Sequence, residues 1–325
     1  MLAAVVAAGL WAAPAHALDK VNYIIDWLPN GEETFPYIAQ AEGLFAKEGL
    51  DVNIIVGRGS TDVMARMGAG VASIGSGAMG AFLAAVAENK APIKATMTVY
   101  SEQPDAIFYV AGEPIKTMAD LKGMSVATAT FTSSNVLWPV VARANGLDPA
   151  TVNLMKVDPS TLGGLLASGR VAAVIGWMTD LPQYDGMAHQ AGKKVESMPW
   201  SQMGLDGYGL SVFATDATIK DHPDWVAKFN RAYFAGVKIA LGDCARGSKD
   251  MKTVVPESDY EVDRLQCEVA NPLIKNAVSD KTGIGTIDPA LLKATWGWVA
   301  KSQGYKVEQL DPETAVVRQF IPSGG

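Results

Sequence analysis

The segment VNIIVGRGSTDVMARMGAGVA, Val52 to Ala72, aligns with VNLMKVDPSTLGGLLASGRVA, Val152 to Ala172, at an offset of 100 residues. Val, Asn, Ser, Thr, Val and Ala recur in the same order, more identities than two unrelated stretches of this length tend to share. Each copy predicts a strand, a turn ending in Ser-Thr where a helix starts, the helix, a second turn and a second strand. Ser and Thr are ordinary helix N-caps, so local preference is an alternative source of the match. A supersecondary unit built twice, in two similar α/β lobes, explains it better.

Working outward, Val21 to Trp27 predicts a strand and Pro36 to Lys47 a helix, with Pro in its first turn and Tyr37, Ile38, Ala41, Leu44 and Phe45 on one side, stopped by Gly49. Val52 to Val56 and Val71 to Ile74 predict further strands around a helix starting near Thr61, the βαβ pattern of an α/β protein. Two apolar runs have similar sequels. Ala106 to Val110 precedes Glu113-Pro114-Ile115-Lys116, and Leu210 to Ala214 precedes Asp216-Ala217-Thr218-Ile219-Lys220. Both are read as crossings between lobes, which assigns residues 18–105 and 215–325 to lobe one and 106–214 to lobe two. The tail from Pro223 predicts helices, including Trp225 to Leu241 and Pro289 to Lys301.

Composition bounds the function. The chain has 325 residues, 49% hydrophobic and 19% charged, enough for a buried core in two domains. A net charge of −7 and a pI near 5.1 oppose nucleic-acid binding, which needs clustered Lys and Arg. Three His and two Cys exclude a His-rich or Cys-rich metal site. Met1 to Ala13 is almost wholly apolar and Ala15-His16-Ala17 follows, so residues 1–17 read as a signal peptide cleaved after Ala17 and the mature chain as exported to the periplasm. There Cys244 and Cys267 form a disulfide if the fold brings them together, and are otherwise two buried thiols.

The run DWLPNGEETFPYIAQAEGLFAKEGLDV, Asp26 to Val52, resembles the opening of periplasmic solute-binding proteins of ABC importers. The resemblance is to the branch that binds thiamine pyrimidine precursors, nitrate, taurine and aliphatic sulfonates. It continues through VASIGSGAMGAFLAA, IFYVAGEPIKTMADLKGMSVATAT and ASGRVAAVIGW, to about Ala214. Asp26-Trp27 and Pro29-Asn30 look like the pyrimidine-binding members. Glu32 and Glu33 stand where a His is common, and Trp177-Met178-Thr179-Asp180 replaces a Trp-Glu ending. The resemblance implies a type II periplasmic-binding fold, two α/β lobes joined by two crossing strands. It further implies a small organic ligand held between the lobes, an ABC permease as partner, no cofactor and a monomer.

In open α/β sheets ligands sit beyond the carboxyl ends of the strands. Trp27 offers a face for a planar ring and Asn30 an amide, against packing and a plain turn as the alternatives. Glu33 and Thr34 either cap the next helix or pair with a ligand amino group. Ser76 and Gly77 are read as a turn after a strand, where small residues and helix-start amides receive an acceptor. Tyr100 ends another strand. In lobe two, Thr130, Thr132 and Ser133 offer hydroxyls at a helix start, Trp177 a second stacking wall and Asp180 a counter-charge, while Tyr208 closes the pocket. The expected ligand is a planar heterocycle or an aromatic acid, with sulfonate, taurine or nitrate as the alternative. An enzyme like the thiamine-pyrimidine synthases and a receptor sensor module are the rivals from other classes.

Overall fold

The computed structural model describes residues 17–323, so the leader expected over residues 1–17 lies outside the described residues except for Ala17. Ten strands form two five-stranded sheets. The first holds β1 (Asp19–Ile25), β2 (Leu50–Val56), β3 (Ile74–Ala78), β4 (Ile93–Thr98) and β10 (Leu210–Thr215), in the order β2-β1-β3-β10-β4. The second holds β5 (Asp105–Val110), β6 (Ser125–Ala129), β7 (Asn153–Val157), β8 (Ala173–Trp177) and β9 (Val195–Pro199), in the order β7-β6-β8-β5-β9.

The two orders are the same plan. In each sheet the first three strands of the order run parallel, and the fourth, β10 or β5, is antiparallel to both neighbours. The repeat in the sequence falls on equivalent units, β2 to β3 and β7 to β8, around the helices Ser60–Gly68 and Leu162–Ala167.

Strand chemistry follows burial. Along β1, Val21, Tyr23 and Ile25 join the apolar cluster under the helices Phe35–Ala41 and Pro223–Gly242, whereas Ile24 faces Val63, Met67 and Phe82 on the other side. A period of two with both faces covered is what a parallel strand requires. Tyr23 meets Phe229 at 4.9 Å between ring centroids.

Four expectations are corrected. The helix read over Pro36 to Lys47 is two, Phe35–Ala41 and Leu44–Lys47, because Gly43 takes the left-handed conformation between them (φ +65°). The strand read over Val71 to Ile74 is Ile74–Ala78. The segments read as crossings are not themselves the links. Each has both edges hydrogen-bonded within one sheet, so the chain changes lobe in 99–104 and 200–209, and residues 210–214 belong to the first sheet rather than to lobe two. Finally, the tail is not confined to lobe one. Its helix Pro289–Gln303 places Leu292, Trp296 and Val299 in one core with Leu137 and Val140 of the second-lobe helix Ser134–Ala144 and with Phe82 of the first lobe.

Cys244 and Cys267 are disulfide-bonded, with Cα atoms 5.7 Å apart. The bond ties helix Cys244–Val254 to helix Tyr260–Ile274.

Candidate ligand-binding cleft

The carboxyl ends of the two sheets face each other. From the first lobe come Asp26 and Trp27, directly after β1, Glu32 in the single turn Gly31–Glu33, and Gly59 with Ser60 after β2. From the second come Thr132 after β6, Gly176 and Trp177 at the end of β8, and Asp180 in the next turn. They line one cleft at the strand ends and between domains, where α/β proteins hold small molecules.

The two indoles are exchanged between lobes. Trp27, carried by the first lobe, packs against the apolar cluster of the second. Trp177, carried by the second, is buried in the cluster of the first, 6.0 Å from the Tyr100 ring. Its Nε1 donates to Ser133 Oγ at 3.3 Å. The cleft therefore has an aromatic wall from each side.

Its polar lining is acidic. Ser60 Oγ donates to Asp26 Oδ2 at 2.5 Å and accepts from the Ala78 amide at 3.0 Å. Ser76 Oγ donates to Glu33 Oε1 at 2.7 Å, Thr179 Oγ1 donates to Glu32 Oε2, and the Trp177 amide donates to Asp180 Oδ2 at 3.1 Å. Behind them Asp105, at the start of β5, accepts from Ser134 and Gln103. No Lys, Arg or His is among the lining residues.

Taking a carboxylate out of water favours its neutral form. Burial pushes Asp26 up to about 6, against the Ser60 hydrogen bond, and Asp180 up to about 7. Asp105 is raised to about 6 by the same cause. Glu32 and Glu33 rise well above the usual carboxylate range, again chiefly through burial, with Asp180 facing Glu32 and Asp26 facing Glu33 adding to it.

A family model described as NMT1/THI5 like matches residues 30–245, more than half of the chain. The chain belongs to the NMT1/THI5-like family. Among curated relatives of this NMT1/THI5-like protein, the formylaminopyrimidine-binding protein of Halalkalibacterium halodurans is 26% identical over 226 residues, 69% of this chain and 67% of that one. The riboflavin-binding protein RibY of Chloroflexus aurantiacus is 24% identical over 331 residues, 98% and 92% of the two chains. Among solved structures, the alkanesulfonate-binding protein SsuA of Xanthomonas axonopodis pv. citri superposes with a TM-score of 0.71 at 16% identity, over 94% of this chain and 100% of that one. The NMT1/THI5-like chain thus has the bilobal periplasmic-binding-protein fold that its sequence resembles.

Of the sequence-derived candidates, Trp27, Thr132, Trp177 and Asp180 line the cleft. Ser133 reaches it through the Trp177 indole, and Tyr100 backs that ring while its hydroxyl donates to the Glu32 carbonyl at 2.5 Å. Others are placed elsewhere. Ser76 and Gly77 lie inside β3, not after it, paired with Val212 and Ser211. Ser76 Oγ is engaged by Tyr23 and Glu33, and the helix-start amides of Ala78 and Met79 by Ser60 and the Gly209 carbonyl. Asn30 Oδ1 caps its own turn by accepting from the Glu32 amide at 3.1 Å. Thr130 Oγ1 donates to the Val157 carbonyl at 3.2 Å, and Tyr208 OH accepts from the Asp288 amide at 2.7 Å, toward the tail.

Sequence reasoning missed Glu32 and the roles of Asp26, Gly59, Ser60 and Gly176. Ser60 had a signal, since the repeat aligns it with Ser160. There Ser160 makes an ordinary exposed turn with Asp158, whereas Ser60 has been turned inward to hold Asp26.

Proposed function

We propose that this protein is the exported solute-binding component of an ABC importer, a monomer that traps a planar nitrogen heterocycle between its lobes in the periplasm and hands it to the permease. The observation that carries the reading is the exchange of Trp27 and Trp177 across one cleft. Such walls grip a flat ring only when the lobes meet, so the ligand favours the closed form by differential affinity and the permease can distinguish loaded from empty protein. The acidic lining accepts hydrogen bonds from ring N–H and amino groups.

The same lining disfavours a sulfonate, taurine or nitrate. An anion in a buried site without a single cation meets like charge instead of a partner. Relatives named for binding formylaminopyrimidine and riboflavin, both nitrogen heterocycles, support the choice. A relative named as a 4-amino-5-hydroxymethyl-2-methylpyrimidine phosphate synthase, 22% identical over 260 residues in Saccharomyces cerevisiae, keeps a pyrimidine in view but brings catalysis with it. Among the described residues no cluster of His, Cys, Asp and Glu is placed to hold a metal ion, and no helix is long and apolar enough to cross a membrane.

Isothermal calorimetry against formylaminopyrimidine, 4-amino-5-hydroxymethyl-2-methylpyrimidine, riboflavin, taurine and nitrate tests the proposal. Saturable binding of a heterocycle, with the ligand recovered unchanged, is the expected result. Tight binding of taurine or nitrate alone, or conversion of a heterocycle to product, overturns it.

A further inference from the structure

The charge of the cleft is unbalanced. Asp26, Glu32, Glu33 and Asp180 are each no more than 3% exposed, and none joins an ion pair among the described residues. Asp180 Oδ1 is buried without a hydrogen-bond partner, while on the opposite wall Asp26 and Glu33 face each other closely enough to share a proton. The surrounding elements supply only neutral or acidic groups. They include the hydroxyls of Ser60, Ser76 and Thr179, the phenols of Tyr100 and Tyr184 and, against Glu33, of Tyr23, Tyr37 and Tyr233, the carboxyl of Asp105, and from the tail helix Tyr260–Ile274 the side chains of Asp263 and Gln266. Native proteins seldom leave buried carboxyl oxygens unpaired, and those at functional sites commonly await a ligand.

Two of the acids belong to different lobes. Glu32 extends from the turn after β1 and Asp180 from the turn after β8, and Thr179, the neighbour of Asp180, donates to Glu32. We propose that Glu32 and Asp180 make closure conditional on a ligand with a positive charge on its planar group, an amidinium or a protonated aminopyrimidine, seated against Asp26 and Asp180. This rests on the reading of the cleft as the site of a planar ring, and it names the ligand's charge. In the open form each carboxylate is hydrated. Closing an empty cleft strips their water, so the acids must either meet as like charges in a low dielectric or take up protons, and both cost free energy at pH 8. A cation converts that repulsion into ion pairs with both lobes at once, a differential affinity that a neutral ring of the same shape cannot supply.

The test uses three flat probes of one shape, benzamidine, benzamide and benzoate, in calorimetry at pH 8 and low salt on the mature protein. Benzamidine is expected to bind at least tenfold more tightly than benzamide, and benzoate to give no binding heat. Benzamide or benzoate binding as well as benzamidine overturns the proposal while leaving the planar-ligand reading standing. Silence from all three counts against both.

A second arm needs no ligand. Asp180→Asn keeps an acceptor for the Trp177 amide, and circular dichroism verifies its fold. By X-ray scattering at pH 8 the ligand-free variant is expected to be more compact than the unaltered protein, and to bind benzamidine at least tenfold more weakly while losing less affinity for benzamide. An Asp180→Asn protein with the original radius of gyration and the original benzamidine affinity sinks the charge gate.

Discussion

Thr61 of the first lobe is bolted to Phe131 of the second. Its amide and its Oγ1 both donate to the Phe131 carbonyl, at 3.1 and 2.7 Å. The approach depends on Gly59, where a Cβ would stand 2.2 Å from that carbonyl oxygen and the backbone holds φ +136°. Gly59→Ala is therefore expected to prop the lobes apart. Ligand affinity should fall at least tenfold, and scattering should show no compaction when ligand is added. The backbone strain itself costs about 1–3 kcal/mol, a modest drop in melting temperature. Full compaction at the original affinity would show that the contact is dispensable.

The two tryptophans separate binding from stability. Trp27 is only half-buried, so Trp27→Ala should weaken ligand binding at least tenfold in calorimetry and leave thermal unfolding nearly unchanged. Trp177 is 6% exposed and lodged among the first lobe's apolar residues. Trp177→Ala should abolish binding and also destabilise the protein, by about 3–5 kcal/mol if the site collapses little. Equal melting temperatures for the two variants would contradict this division.

The disulfide supports the cleft from behind. Cys267 follows Gln266, whose Oε1 accepts from the Gly31 amide at 3.0 Å and so steadies the turn that carries Glu32 and Glu33. The cross-link spans 23 residues and restricts the unfolded chain by about 3 kcal/mol on the chain-entropy model. Reduction, or Cys244→Ser with Cys267→Ser, should lower the melting temperature and weaken ligand binding. Calorimetric scans with and without reductant measure the first effect, and titration of the double variant the second. A lower melting temperature with unaltered affinity would assign the disulfide to stability alone.

The doubling of the fold was legible because it is written locally. Val52 to Ala72 and Val152 to Ala172 repeat a strand, a helix and a strand, and both sheets came out in one order. The walls were legible for a related reason, since Trp27 and Trp177 lie just beyond or at strand ends. What escaped was whatever depends on packing between segments distant in sequence. Ser60 and Ser160 are indistinguishable as N-cap residues until Asp26 is brought beside one of them. Tyr208 reads as a cleft residue by its position near the crossing, yet the tail supplies Asp288 as its partner from 80 residues away. Glu32 and Asp180 are 148 positions apart in sequence and meet only across the closed cleft.

The buried acids also fix the sign of a pH effect. Asp180 at about 7 and Asp26 at about 6 hold protons more tightly in the folded state than in the unfolded chain, where an Asp titrates near 4. Folded protein then binds more protons than unfolded protein between those values, and the slope of stability against pH is negative there. These groups cost nothing below about pH 4, and their penalty grows as pH rises toward about 7. Exposed carboxyls such as Asp120 and Asp158, lowered by their turn hydrogen bonds, act in the opposite sense. The difference between the unaltered protein and Asp180→Asn isolates one buried acid. Measured by urea unfolding without ligand, that difference should shift in favour of Asp180→Asn from pH 5 to pH 8 and level off beyond. A constant difference across this range would mean that Asp180 does not titrate in the window that its burial dictates.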